Sequence, residues 1–282
     1  MLLSFADFID LSRGYHHGSA IIKMHSTYLI SCKMSTNRST INEKEVSFFK
    51  NLSEGWWKED SGLQLLHETN RLMGAFVQEE LFRTGLKTQG ARGSGQVKIL
   101  EVGCGGGFLT EILARMDCEV TAIEVVPELV EIAKNHASSG PVTSKTTTYI
   151  AQSIEDHAKH NANKYDVVVS NFVLEHVDEK EYFLDSCTKC VKRGGLLIVS
   201  AMSKTIWSWL IINLYERVFA YVPRGTDDWN MCITAQDTHK MIRKNNFEII
   251  DTRGYFHNIL TGKLSWWSWW SIAYVIEAKK LY

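Results

Sequence analysis

The spacing of the hydrophobic positions changes near residue 97. From residue 42 to about 81, apolar side chains lie at helical spacing, as at Leu63, Leu66, Leu72 and Phe76, which predicts amphipathic helices. After residue 97, short apolar runs alternate with helical stretches. Strands that alternate with helices predict a mostly parallel sheet with helices on both faces. We therefore expect an α/β domain preceded by a helical extension.

The apolar runs after residue 97 define the expected strands. They lie at 97–102, 119–123, 147–150, 165–170, 196–200, 247–253 and 271–278. Helices are predicted at 108–116, from 127 to about 136, and from a cap at Thr234, since Pro and Thr favour helix starts. The pattern thus predicts seven strands.

The first part of the chain differs in composition. Residues 11–42 contain no Asp or Glu, but four Lys or Arg among many Ser and Thr, which is typical of a mitochondrial transit peptide. Asp7 and Asp10 argue against import, and a disordered tail is the alternative. We expect a transit peptide or disordered tail at 1–41, a helical preface and linker at 42–96, and the α/β domain at 97–282.

The charge and the cysteine content argue against a nucleic-acid-binding protein and against a disulfide-stabilised one. The formal net charge is −1, so the clustered positive face of a nucleic-acid-binding protein is not expected. The six cysteines are irregularly spaced in the 282 residues, unlike a disulfide framework, which indicates a reducing compartment. Cys187 and Cys190 fall within a predicted helix and are expected to pack there. No apolar run reaches the roughly 18 residues of a spanning helix.

An apolar insertion at 206–222 has a helical stripe that includes Trp207, Leu210, Leu214 and Val218. Such a helix either lies on a membrane surface or packs on the sheet as a lid; the spacing fits both. The later "SWWSWW" at 265–270 fits a wall for a lipid tail, an interfacial aromatic group or a hairpin tip.

The glycine-rich stretch "ILEVGCGGG" at 99–107 follows the first strand. A dinucleotide fingerprint needs a further glycine where this chain has Phe108. Glu124 ends the second strand 21 residues after Gly103, where a carboxylate can accept both hydroxyls of a ribose. The arrangement of Glu101 and the glycines resembles that of class I S-adenosylmethionine-dependent methyltransferases.

Four further stretches narrow the resemblance. They are "EVSFFKNLSEGWWKEDSG" at 45–62, "LLHETN" at 65–70, "YDVVVSNFVLEHV" at 165–177 and "VPRGTDDW" at 222–229. With them, the chain resembles the ubiquinone-biosynthesis O-methyltransferases from about residue 41 to its end. The resemblance implies a Rossmann-like class I methyltransferase fold with a mostly parallel seven-stranded sheet. It also implies methyl transfer from S-adenosylmethionine to a ring hydroxyl of polyprenylated catechol-type intermediates.

The resemblance assigns residues to the cofactor. The family usually has an arginine in the preface where this chain has Met73, so Arg71, two residues earlier, is the expected replacement. The cofactor-binding residues are therefore expected to be Gly103, Gly105, Glu124, Asn171 and Arg71.

The resemblance also places a Glu-x-x-Glu-His metal site after the fourth strand. Here Phe172 stands at the first acid, and Glu175 and His176 remain. A phenol titrates near pH ~10, so its attack at neutral pH needs a Lewis acid such as Mg²⁺ or a base. Glu175 and His176 are therefore the expected catalytic residues and the expected ligands of Mg²⁺. The alternative is that they cap the helix that follows. The other histidines considered, His157, His160, His239 and His257, are expected at the surface or in packing.

The expected setting follows from the resemblance too. Family members in eukaryotes work on the matrix face of the inner mitochondrial membrane, so the expected partners are a lipid-like polyprenyl phenol, the membrane surface and other proteins of ubiquinone biosynthesis. A methyltransferase acting on another small hydroxylated molecule and a non-catalytic cofactor-binding scaffold are the alternatives.

Overall fold

An eight-stranded sheet forms the centre of the fold. The computed structural model describes residues 38–58, 62–87, 96–139, 146–219, 222–258 and 261–281. The strands are β1 (Lys98–Val102), β2 (Glu119–Glu124), β3 (Thr147–Ala151), β4 (Tyr165–Asn171), β5 (Val191–Met202), β6 (Phe247–Asn258), β7 (Lys263–Trp267) and β8 (Ala273–Lys280). Their order is β3-β2-β1-β4-β5-β8-β6-β7.

The sheet is parallel along β3-β2-β1-β4-β5. It is antiparallel from β5 through β8 and β6 to β7. The predicted seven strands are all present, but the count is one too low. The eighth strand, β7, pairs with β6 from Gly254↔Trp267 to Asn258↔Lys263. Part of the "SWWSWW" stretch at 265–270 therefore lies in a strand of the β6–β7 hairpin, because its alternating side chains fit a pleated strand.

Helices cover both faces of the sheet. They are α1 (Glu43–Leu52), α2 (Gln64–Arg83), α3 (Phe108–Ala114), α4 (Pro127–Ser138), α5 (Ile154–Ala158), α6 (Lys180–Cys190), α7 (Ile206–Leu214) and α8 (Ala235–Lys244). Short 3₁₀ turns lie at Ser53–Gly55 and Leu174–His176, and a π-helical turn at Tyr215–Phe219 follows α7. Asn42 and Thr234 cap α1 and α8 through their side chains, and Pro127 opens α4, as expected for helix starts.

The preface is part of the core. Met73, Phe76 and Val77 of α2 are at most 1% exposed and pack with residues of α3, β1 and β4. The described residues from Ser39 onward form one compact unit. The helices at 42–83 therefore stabilise the α/β sheet directly.

Cys187 and Cys190 are buried and free inside α6, so the packing prediction is confirmed.

The predicted transit peptide or tail falls almost wholly on residues 1–37, which lie outside the described residues. Among the described residues, no helix has the length and hydrophobicity needed to span a membrane.

Candidate functional site

A cavity of about 460 Å³ opens at the carboxyl ends of β1 and β4, where the strand order of the sheet reverses. Ligands of open α/β sheets bind at this switch point. The cavity runs from the glycine loop to the β6–β7 hairpin, and the preface and the turn after α7 line it as well. Of the expected site residues, the structure brings Gly103, Gly105, Glu124, Asn171 and His176 to its wall.

The glycine loop, residues 103–107, forms a cradle after β1. It is in close contact with the protein's own side chains. Gly103 has a φ of +76°, and a Cβ there would lie 3.0 Å from Cγ1 of Val173. A Cβ at Gly106 would lie 2.6 Å from Nε1 of Trp56. The neighbouring Trp57 donates its indole N–H to the Gly106 carbonyl at 2.9 Å. The bare backbone thus lets the preface and the turn after β4 pack directly on the cradle.

Glu124 holds the loops on both sides of the cradle. Its carboxylate accepts the backbone N–H groups of Gly105 at 3.0 Å, Val125 at 2.8 Å and Val126 at 3.0 Å. Burial raises the pKa of Glu124, and these three hydrogen bonds oppose the rise. A carboxylate has about four acceptor sites. About one acceptor site of Glu124 therefore remains, which suffices for one ribose hydroxyl and not for the two that were expected.

Glu101 begins the glycine motif and is buried beside the cavity. Burial raises its pKa to about 8, while a hydrogen bond from Thr110 opposes the rise. Glu101 can therefore hold a proton near neutral pH and is a potential hydrogen-bond donor towards a bound ligand.

Asn171 connects β4 to the preface. Its side-chain N–H donates to Asn70 Oδ1 at 3.0 Å, and its Oδ1 accepts the Ser200 hydroxyl at 2.6 Å. The structure does not bring Arg71 to the cavity. Its side chain is 64% exposed and pairs with Glu68. Successive residues of a helix point about 100° apart, so Arg71 faces away from the cavity when its neighbour Asn70 faces it. Asn70 occupies the cavity-facing position instead.

Glu175 is 2% exposed. Its Oε1 accepts the N–H of Met202 at 3.1 Å, while its Oε2 has no hydrogen-bond partner in the described part of the chain. Burial raises the pKa of Glu175 to about 7, and the charge of His176 opposes the rise. This carboxylate is therefore poised to take a proton or a cation.

His176 follows directly and is oriented by the preface. Its Nδ1 lies 2.8 Å from Oε2 of Glu45. Burial lowers the pKa of His176, but the hydrogen bond to Glu45 and nearby carboxylates raise it more, so the net pKa lies above its usual value. The capping alternative is not supported, because the N-cap of α6 is Glu179, with no side-chain cap hydrogen bond.

Asp227 completes a cluster that the sequence analysis missed. Glu175, His176 and Asp227 each bring one potential ligand atom to within 4.8 Å of the others. Glu216 holds the Asp227 loop by accepting the N–H groups of Gly225 at 3.1 Å and Asp227 at 3.2 Å. The stretch "VPRGTDDW" carried the signal, but sequence spacing could not show that it lies beside His176.

The outer half of the cavity is largely apolar. Its wall includes Ile211, Leu264 and Trp267. One polar pair interrupts this wall, where the Tyr215 hydroxyl lies 2.7 Å from Nδ1 of His257. His257 therefore lines the cavity, contrary to the expectation of a surface or packing role. In contrast, His157 bonds to buried Tyr165 and His239 bonds to Thr252.

An exposed apolar surface surrounds this outer end. On α7, Trp207 is 53% exposed and Leu210 is 49% exposed, while Ser208 and Ile212 are buried. Trp207 contacts Trp269 with ring centroids 5.8 Å apart, and Trp269 contacts Trp267 at 5.4 Å. The insertion thus packs through one face and exposes the other.

Comparisons with known proteins place this geometry in context. A family model described as "Methyltransferase domain" matches residues 100–199. The chain is 31% identical to the mitochondrial ubiquinone biosynthesis O-methyltransferase of Rattus norvegicus, covering 94% of this chain and 78% of that protein. It is 36% identical to the protein of the same name from Schizosaccharomyces pombe, covering 78% of each.

Solved structures share the fold. A methyltransferase from Aquifex aeolicus superimposes with a TM-score of 0.54 at 17% identity, covering 84% of this chain and 98% of that one. A magnesium protoporphyrin IX methyltransferase from Synechocystis, solved with bound S-adenosylhomocysteine, has a TM-score of 0.54 at 17% identity, covering 92% and 98%. The similarity supports the Rossmann-like class I methyltransferase fold.

Proposed function

Because the chain belongs to the ubiquinone biosynthesis O-methyltransferase family, we propose that it methylates a ring hydroxyl of a polyprenylated catechol. S-adenosylmethionine supplies the methyl group as an electrophilic carbon on a positively charged sulfur. The observation that carries the proposal is one continuous cavity among the described residues. It joins the glycine cradle, a buried acid–imidazole cluster and an apolar outer half, which fit a nucleoside, a ring oxygen and a lipid tail.

The residues of the cradle divide the binding of the cofactor. Gly103 and Gly105 bring their backbone to the cavity wall beside it, Glu124 accepts one ribose hydroxyl, and Asn171 lies beside it at the end of β4. Arg71 takes no part in this proposal, because it lies at the surface.

Methyl transfer needs an in-line approach and a nucleophilic oxygen. The ring oxygen forms a bond to the methyl carbon, the carbon–sulfur bond breaks, and its electron pair remains on sulfur. The hydroxyl proton must leave, and lowering a phenol pKa from ~10 to ~7 corresponds to about 4 kcal/mol. Glu175 and His176 serve this step.

Two routes use these residues. In one, Nε2 of His176 takes the proton, because Nδ1 is hydrogen-bonded to Glu45. In the other, Glu175 and His176 would hold a Mg²⁺ ion, which would supply Lewis-acid chemistry that lowers the pKa of the ring hydroxyl. The donor set fits a cation, since Glu175 has a buried oxygen without a partner in the described residues.

We also propose that the enzyme works at a membrane surface. The exposed side chains of α7 and the β6–β7 hairpin lie around the outer end of the cavity, and aromatic rings favour the lipid interface. Eukaryotic relatives are named mitochondrial proteins. These names support a mitochondrial location. Within it, we propose the matrix face of the inner membrane, near other proteins of ubiquinone biosynthesis.

A turnover assay tests the reaction. The protein is mixed with methyl-labelled S-adenosylmethionine and a catechol carrying a short prenyl chain, with and without Mg²⁺. We expect label on a ring oxygen, and at least a 100-fold lower rate for His176→Gln, with exposed His160→Gln as the control. Cofactor binding without turnover would indicate a scaffold, and turnover on unprenylated phenols alone would indicate another substrate. A strict need for Mg²⁺ would favour the cation route.

A flotation assay tests the membrane surface. Vesicles of phosphatidylcholine and cardiolipin should carry the parent protein upwards, but not a Trp207→Asp/Leu210→Asp variant. Ile250→Asp is the matched control, because Ile250 is an apolar residue 38% exposed on β6. Equal flotation of all three proteins would contradict membrane binding through α7.

A further inference from the structure

The cluster of Glu175, His176 and Asp227 combines two segments of the chain. Glu175 and His176 lie in the turn after β4, while Asp227 lies in the loop that follows the π-helical turn. One potential ligand atom of each residue lies within 4.8 Å of the others. Two carboxylates and an imidazole form a donor set that suits divalent cations.

A second observation points to a cation at the same place. Glu175 is 2% exposed, and its Oε2 has no hydrogen-bond partner within the described ranges. An ionised carboxylate buried without a partner is strongly unfavourable. A cation between Glu175, His176 and Asp227 would satisfy this oxygen.

The orientation of His176 fits a ligand. Its Nδ1 is hydrogen-bonded to Glu45, which leaves Nε2 as the nitrogen able to bind a cation. Carboxylate–imidazole pairs of this kind orient metal-binding histidines in proteins. Glu45 is therefore the positioning residue of this ligand.

The position of Asp227 is set by the chain itself. Glu216 holds its loop through the N–H groups of Gly225 and Asp227. At position 172, where the resemblance expects an acid, Phe172 packs against Tyr255 with ring centroids 5.2 Å apart. We propose that Asp227 supplies the third protein ligand of a divalent cation, with Glu175 and His176, in place of the acid missing at Phe172. The inference rests on the proposed function, because the cation would act on the ring oxygens of the same substrate.

Direct measurement of ion binding tests the proposal. Mn²⁺ is titrated into the full chain and free Mn²⁺ is followed by electron paramagnetic resonance, with a parallel Zn²⁺ titration by calorimetry. We expect one site in the parent protein and an affinity at least about 10-fold weaker in Asp227→Asn, since loss of even an outer contact of a metal ligand costs this much. Asp228→Asn is the matched control, because Asp228 is the adjacent acid and is exposed.

The same samples separate the proposal from the proposed function. Each protein is titrated with S-adenosylhomocysteine, and its melting temperature is measured with and without the ion. Asp227→Asn should keep its cofactor affinity but lose the ion-induced rise in melting temperature. If the parent binds S-adenosylhomocysteine but neither ion, or if Asp227→Asn binds the ions as tightly as Asp228→Asn, the proposal is wrong and the methyltransferase function stands. If S-adenosylhomocysteine does not bind the parent, the proposed function itself fails.

A restoring variant gives an independent readout. Phe172→Glu places a carboxylate at the position where the resemblance expects one. In the Asp227→Asn background, Phe172→Glu should recover most of the lost Mn²⁺ affinity. Failure to recover it, in a variant that melts normally and binds S-adenosylhomocysteine, would count against a shared site.

Discussion

At the scale of single residues, the cradle depends on close contact between backbone and side chains. Gly106 has an ordinary φ, but a Cβ there would press against the Trp56 indole. Trp56 is itself 5% exposed and packs with Phe108 and Leu129, so it has little room to move. Close contact of this kind makes an added methyl group unfavourable.

We expect Gly106→Ala to lower the free energy of unfolding by about 1–3 kcal/mol, measured by urea denaturation. In a Trp56→Leu background the same change should cost less than half as much, because the overlapping ring is gone. A double-mutant cycle measures this coupling. Equal costs in both backgrounds would show that the strain arises elsewhere.

Glu124 differs from a simple ribose ligand, since its carboxylate binds three backbone N–H groups. Glu124→Gln replaces one acceptor oxygen by an N–H₂ group that faces donors. We expect a loss of stability of roughly 2–3 kcal/mol and an affinity for S-adenosylhomocysteine at least 10-fold weaker by calorimetry. The exposed Glu131→Gln in α4 is the control. Unchanged affinity in Glu124→Gln would mean that the loops keep their shape without the charge.

At the scale of elements, α2 and β8 are joined by a charged cluster beneath the core. Arg83 donates to Glu80 at 2.5 Å and to Glu277 at 2.7 Å, and both acids are 1% exposed. Burial raises the pKa of Glu277 to about 7, Glu80 adds to the rise, and Arg83 opposes it. The folded state therefore holds a proton that the unfolded chain releases near pH ~4.5.

The sign of the pH dependence follows from this raised pKa. Between about pH 4.5 and 7 the folded state binds more protons, so the contribution of Glu277 to stability falls as pH rises. Glu80→Gln removes a like charge and should bring the pKa of Glu277 closer to its usual value. We expect the melting temperature to fall less between pH 5 and pH 7.5 than in the parent, by about 2–4 °C.

The neighbouring Glu79 provides the matched control, because its side chain is 58% exposed. Glu79→Gln should show the same pH dependence as the parent. If Glu80→Gln also behaves like the parent, the two buried acids are not coupled in solution.

At the scale of the whole molecule, the sequence predicts what lies close along the chain. The glycine loop, Glu124 and Asn171 each follow a strand, and parallel strand ends meet at one edge of a sheet. The sequence could not place Glu45 and Asp227 at the site. Glu45 is 131 residues away from His176 along the chain, and Asp227 lies in the long connection between α7 and α8. Arg71 was misplaced for a local reason, since spacing alone did not fix which face of α2 meets the cavity.

The cavity and the exposed apolar surface are connected, and this connection should appear in substrate preference. Trp267 and Trp209 are matched, since they are 42% and 45% exposed, but Trp267 lines the cavity whereas Trp209 lies on α7. A catechol with a short prenyl chain buries its tail against the cavity wall, and losing a large apolar partner weakens such burial by roughly 1–2 kcal/mol. Without vesicles, Trp267→Ala should therefore raise the KM for this substrate about 5–30-fold at unchanged kcat, while Trp209→Ala leaves it unchanged. With an unprenylated catechol, the two variants should have the same KM. If Trp267→Ala instead raises the KM equally for the prenylated and the unprenylated catechol, Trp267 contacts the ring and not the tail.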